Sequence, residues 1–115
     1  MSTDLNLDSK VFKALSNSDN GQVAESTRFL YRQEGEVVWA DYHGGEIVRG
    51  HLIASRSGNR LHMRYHHLDR KGRLRVGTCE SLISQRKDGL LQLDEKWQWL
   101  SDDQSEGESV LIELR

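Results

Sequence analysis

The chain has 115 residues, a net charge of −2, a mean hydropathy of −0.71, one cysteine and no proline. That length describes one domain, and a single cysteine excludes an internal disulfide framework. No apolar run is long enough to span a membrane as a helix, while three Trp, three Tyr and two Phe supply the large apolar surfaces that a disordered chain lacks.

The opening residues, "MSTDLNLDSK", carry no apolar segment of the kind that directs secretion. With the lone Cys79 they imply a cytoplasmic protein. Residues 1–9 are expected to form a flexible arm on a single domain spanning 1–115. The segment "SKVFKAL" (9–15) suits a short helix or a first strand equally well. Turn chemistry then recurs at 16–21, 33–36, 43–46, 55–59, 69–72, 86–89 and 101–108, each combining Gly with Asn, Asp, Ser or a charged residue.

Between the turns the hydrophobic period is two, the spacing of half-buried strands. In "TRFLYRQ" Thr27, Phe29 and Tyr31 oppose Arg28, Leu30 and Arg32. In "EVVWADY" (36–42) the phase is ambiguous, because Trp39 and Tyr42 both need cover and fall on opposite faces; a bulge or a second packing surface would resolve it. In "NRLHMRYHHL" (59–68) Leu61, Met63, Tyr65 and His67 share one face against His62, Arg64 and His66. In "RLRVGTCESLI" (73–83) Leu74, Val76 and Thr78 are taken as the inward set, opposite Arg73, Arg75, Gly77 and Cys79. Leu91, Leu93, Glu95, Trp97 and Trp99 share a face of 90–100, and Val110, Ile112 and Leu114 alternate with Leu111 and Glu113. Eight antiparallel strands without helices must still hide an apolar face. The expected fold is an all-β, up-and-down meander closing into a small β-barrel, with a two-sheet β-sandwich as the alternative.

Charge is unevenly spread: residues 50–90 hold nine basic and three acidic side chains, and residues 91–115 hold two and seven. Pairing across neighbouring strands accounts for this more simply than steering of a charged partner. The densest stretch is "LHMRYHHLDRKGRLR" (61–75). As a zinc site it fails on spacing, since His62 and His66 lie roughly 13 Å apart along a strand. As a nucleic-acid surface, Arg56, Arg60, Arg64, Arg70, Lys71, Arg73 and Arg75 with Tyr65 form a candidate groove. The sequence pI near 6.2 argues against it. No metal, cofactor or nucleic-acid partner is expected.

The inner face carries the more specific chemistry. Tyr31, Tyr65, His67, Glu95 and Trp97, with Thr78, project inward under simple alternation, and such a lining is that of a small-ligand site. Glu95, set between Leu93 and Trp97, is expected to have its pKa raised unless a cation or hydrogen-bond donors satisfy it, with His67, His51 or Arg49 as the candidates. Cys79 reads as a packed small residue rather than a nucleophile. No phosphate loop, G-x-S-x-G, H-E-x-x-H or C-x-x-C occurs.

The segments "TRFLYRQEGEVVWADYHGGEIVRGHLI" (27–53), "LHMRYHH" (61–67) and "EKWQWLSDDQSEGESVLIE" (95–113) resemble a small family of bacterial single-domain β proteins, some of whose members are labelled N-acetylglutamate synthase. The resemblance covers nearly the whole chain and supplies no catalytic residues. The label implies acetyl-CoA chemistry, but "RQEGEV" (32–37) lacks the second glycine of a pyrophosphate-wrapping turn and precedes a strand. The expected function is therefore a non-catalytic binding module for a small polar or anionic ligand held by Tyr31, Tyr65, His67, Glu95 and Trp97. The alternatives are a protein-interaction or homodimerising surface near Trp39 or Tyr42, and an acid–base enzyme using Glu95 and His67.

Overall fold

The computed structural model describes residues 5–115, so the part of the expected arm at 1–4 lies outside the described residues. Eight strands follow one another: β1 (Lys10–Asn17), β2 (Arg28–Glu34), β3 (Val37–Gly44), β4 (Ile47–Ser57), β5 (Arg60–Asp69), β6 (Leu74–Gln85), β7 (Leu91–Trp99) and β8 (Glu106–Glu113). Each pairs antiparallel with the next, and β8 returns to β1, so the sheet closes into a barrel in sequence order. Closure rather than a sandwich leaves no free edge. All seven connections overlap the expected turn segments, the first running on past 21 to residue 27, and the segment 9–15 leads into strand β1 rather than a helix. None of the described residues forms a helix long and apolar enough to cross a membrane.

The ladder fixes which way each side chain faces, because residues directly opposite in an antiparallel pair point to the same side. Leu91, Leu93, Trp97 and Trp99 face inward as their alternation implies. Strand β6 takes the opposite phase to the expected one. Its inner residues are Arg75, Gly77, Cys79, Ser81 and Ile83, while Leu74 is 76% exposed and Val76 and Thr78 also face out. The reason is register: Gly77, Cys79, Ser81 and Ile83 stand opposite Trp99, Trp97, Glu95 and Leu93 of β7, and those large side chains already set the inner face. Strand β8 follows the same rule, burying Ser109 and Leu111 and turning Val110 and Ile112 outward. In β3 the ambiguity resolves without a bulge in its centre. Val38, Ala40 and Tyr42 go in, Trp39 stays half-buried outside, and the irregularity lies beyond, between Tyr42 and Gly44. Tyr42 is thus an interior residue and not part of an outer docking surface.

The barrel's two ends differ. At the end holding the β2–β3, β4–β5 and β6–β7 turns, Phe12, Leu61, Ile83, Leu93 and Leu111 pack solidly. Residues 5–9 lie across that end: Leu7 is 0% exposed and Leu5 is also buried. Arg56, a member of the proposed basic groove, turns inward there. It donates to the Leu5 carbonyl (2.7 Å), Gln33 Oε1 (2.9 Å) and the Gly58 carbonyl (2.8 Å). With Arg75 also inside, the basic residues of 56–75 do not form one continuous surface.

We expect Leu7→Ala to cost roughly 2–5 kcal/mol of stability, as for a buried core leucine. Chemical denaturation measures this; an unchanged midpoint would return residues 5–9 to the status of a loose arm.

Candidate functional site

Glu95 stands directly opposite Ser81 of β6 on one side and Ser109 of β8 on the other. All three side chains therefore share the inner wall in one row across the strands. Ser81 Oγ donates to Glu95 Oε2 at 3.0 Å, and Ser109 Oγ donates to Oε1 at 2.9 Å. None of the expected cations reaches the carboxyl. His51 Nδ1 pairs with Asp41 Oδ1 at 2.9 Å on the outer surface, Arg49 faces solvent, and His67 sits toward the barrel mouth. Among the described residues no salt bridge to Glu95 forms. Burial pushes its pKa up to about 7, with the two serine hydroxyls and the neighbouring Asp94 as smaller influences, the hydroxyls opposing the rise.

Aromatic rings wall the space above this row, and three of them face glycines. Tyr42 lies opposite Gly50, Tyr65 opposite Gly77, and Trp97 opposite Gly107. A Cβ on any of these glycines would collide with the ring across from it. Each ring instead lies against its neighbouring strand. Trp99 completes the wall, with its centroid 5.5 Å from Tyr65, 5.6 Å from His67 and 5.8 Å from Trp97. The Arg75 guanidinium carbon is 3.8 Å from the Trp99 ring centroid, and Arg75 Nε is bound to Asp102 Oδ2 at 2.8 Å.

The β1–β2 connection, residues 18–27, closes the mouth. Gln22 is its latch: its Nε2 donates to Asp69 Oδ2 at 3.0 Å, and its Oε1 lies 2.7 Å from His67 Nε2. An ionised carboxylate only accepts, so the Gln22 amide orientation follows from Asp69. His67 must then donate from Nε2 and accept at Nδ1, where Tyr42 Oη lies 3.0 Å away. His67 is accordingly neutral, its pKa lowered to about 4 by burial first and the Arg75 charge second. Asp69 is held well below the usual carboxylate range by the Gln22 bond and the donors of Arg73. Asn17 Nδ2 to the Val23 carbonyl (2.9 Å) and Trp99 Nε1 to the Asn20 carbonyl (3.2 Å) tie down the rest of the lid.

Beneath the lid lies a cavity of ≈ 50 Å³. Of the five residues named from sequence, Tyr65, His67, Glu95 and Trp97 line it. Tyr31 lies below, 0% exposed and packed on Phe12 at 5.2 Å, its hydroxyl without a hydrogen-bond partner. Thr78, expected inside, is on the outer face, where it accepts from Arg64 Nη1 at 2.7 Å. Cys79 is buried in the wall, its thiol pKa raised by burial, with Sγ 3.7 Å from Ser81 Oγ. Sequence reasoning did not place Ser81, Ser109, Tyr42 or Gln22 here. The two serines carry no signal until register sets them beside Glu95, and Gln22 lies in a turn with no hydrophobic period.

Two opposed pH dependences follow. Glu95 has a folded pKa above its ordinary 4.5, so its contribution is full below pH 4.5 and is lost as pH rises through about 7. His67 has a folded pKa below 6.5, so its contribution is full above pH 6.5 and is lost as pH falls toward about 4. Where the windows overlap the slopes offset one another. Glu95→Gln should expose the His67 slope, with stability climbing between pH 4.5 and 6.5, and should relieve at most roughly 3 kcal/mol of strain on ionisation at pH 8. His67→Gln should expose the reverse slope. Urea midpoints against pH measure both; superimposable wild-type and Glu95→Gln profiles would contradict this placement of Glu95.

A search of curated proteins found no match to the chain. The family model described as "Avidin-like protein" matches residues 5–114. That match supports a small β-barrel family and lends nothing to a bacterial origin or to the N-acetylglutamate synthase label. With nearly its whole length covered and an eight-stranded closed barrel in sequence order, the chain belongs to the avidin-like family.

Proposed function

We propose that the protein is a non-catalytic binding barrel that holds a small molecule in the cavity between Glu95 and the lid at residues 18–27. One observation carries this reading: Tyr65, His67, Glu95 and Trp97, from two separate strands, converge on one internal space whose floor presents a carboxyl without a partner cation. Interiors of this width normally fill with side chains or hold one ligand, and a space lined by aromatics with a few convergent polar groups is the usual makeup of a ligand site. Binding of small ligands, biotin among them, is also what membership of the avidin-like family implies.

A volume of ≈ 50 Å³ holds a few waters or one compact head group. Anything larger requires the Gln22 latch to open, so binding should order or displace residues 18–27. The anionic ligand that the sequence also allowed is the weaker form, since nothing at the floor balances negative charge. An acid–base enzyme is disfavoured too: both His67 ring nitrogens are already engaged, by Tyr42 and Gln22. A cytoplasmic location remains part of the proposal and rests on the free Cys79 thiol. Self-association is the second reading, carried by Leu30 and Ile53, exposed at 44% and 56% on the outer face beside Trp39.

Native mass spectrometry of protein purified gently from its source tests the first reading. A reproducible extra mass is expected, and a clean apo mass with no thermal shift from any small-molecule panel would overturn it. The same spectrum reads the oligomer. Gly77→Ala should drive Tyr65 into the cavity, cost roughly 1–3 kcal/mol, and remove the bound mass; retention of the ligand by that variant would place the site elsewhere.

A further inference from the structure

We infer that the ligand presents a small organic cation, an ammonium or amidinium head, to the Glu95 carboxylate and to the ring faces of Trp97, Trp99 and Tyr65. The inference rests on the ligand-cavity reading above and adds the charge of the ligand to it. The floor is acceptor-rich: a carboxylate offers about four lone-pair positions, and Ser81 and Ser109 satisfy one on each oxygen. The remaining positions have no donor among the described residues. Asn17 Oδ1, at the lid side of the same cavity, is a second buried acceptor without a partner. An N–H-bearing cation answers both.

The walls agree with the floor. Aromatic faces carry negative quadrupole charge and attract cations, most strongly when water is excluded. The barrel already uses this attraction once, where Arg75 stacks on Trp99 at 3.8 Å. Arg75 cannot serve Glu95 as well, because its guanidinium is held by Trp99 and Asp102. An anion would face an uncompensated carboxylate, and a purely apolar ligand would leave that carboxylate without a counter-charge.

Cation and proton then compete for Glu95. The other groups turned toward it are the phenols of Tyr31 (β2), Tyr42 (β3) and Tyr65 (β5), the Cys79 thiol and the Arg75 guanidinium (β6), and the His67 imidazole (β5). Strands β1, β4 and β8 contribute Phe12, Ala14, Leu52, Ala54, Gly107 and Ser109, none of which titrates; the inward Arg56 of β4 is held at the packed end by Leu5, Gln33 and Gly58, and Asp94 is adjacent in sequence but faces out. Burial raises the phenols and the thiol above their ordinary values and lowers His67. Glu95 is thus the group that changes charge between pH 5.5 and 8.5.

Calorimetric titration of the full chain with tert-butylammonium and methylguanidinium at pH 5.5, 7 and 8.5 tests this, with tert-butanol, acetate and biotin as neutral and anionic comparators. The cations should bind about 30-fold tighter at pH 8.5 than at pH 5.5, and the comparators should show no such dependence. Glu95→Gln should lose at least tenfold in cation affinity and all of the pH dependence. Trp97→Leu should weaken the cations several-fold while keeping the pH dependence, which separates the two contributions and serves if Glu95→Gln does not fold. Equal binding of tert-butanol or biotin at every pH overturns the cation and leaves a ligand cavity standing. Failure of every probe overturns the cation as well, and the native mass then decides whether the cavity reading falls with it.

Discussion

Three cross-strand pairs of aromatic and glycine keep this barrel from filling itself. An eight-stranded barrel is just wide enough for its own side chains to pack the interior, and at one end they do. At the other end Tyr42, Tyr65 and Trp97 each lie against Gly50, Gly77 and Gly107 on the adjacent strand. Without a Cβ opposite, each ring drops against the wall and leaves the centre open. Glycine weakens a strand interior, so these positions are local costs, offset by the burial of a large ring over each one.

The open centre explains the electrostatics. Glu95 projects into a space where no basic side chain pairs with it, and its hydrogen bonds come from two serines that the ladder sets on either side of it. Neutral hydroxyls stabilise the ionised form less than a cation would, which is why burial prevails and the carboxyl titrates near neutrality. His67 is the counterpart at the mouth. Its neutral form is required by the Gln22 amide, whose orientation Asp69 dictates. One partly buried acid and one buried base therefore line one cavity, and burial raises the pKa of the first and lowers that of the second.

The two ends also divide the labour of stability and access. The packed end is sealed by Leu5, Leu7 and the inward Arg56 with its several donor contacts. The cavity end is covered by a connection held through side-chain hydrogen bonds from Gln22, Asn17 and Trp99. Segments tied down by a few such bonds open more readily than strands in a closed ladder, so the ligand proposed above would enter under residues 18–27.

Much of this was legible without coordinates. Seven turns, a period of two and the absence of helices were enough for a closed meander, and alternation alone brought Tyr65, His67, Glu95 and Trp97 to one side, because strands β5 and β7 carry large apolar residues on a single face. The same reasoning failed on β6, where Leu74 and Val76 outweighed Gly77 and Ser81 in any count of hydrophobicity and yet face solvent. It also failed to pair Glu95, whose partners proved to be two serines, one on each adjacent strand. Local pattern determines which residues of a strand share a face. Which of the two faces turns inward, and what stands beside each residue, is decided by the register between strands, since pairing to a neighbour with a committed inner face overrides a strand's own preference.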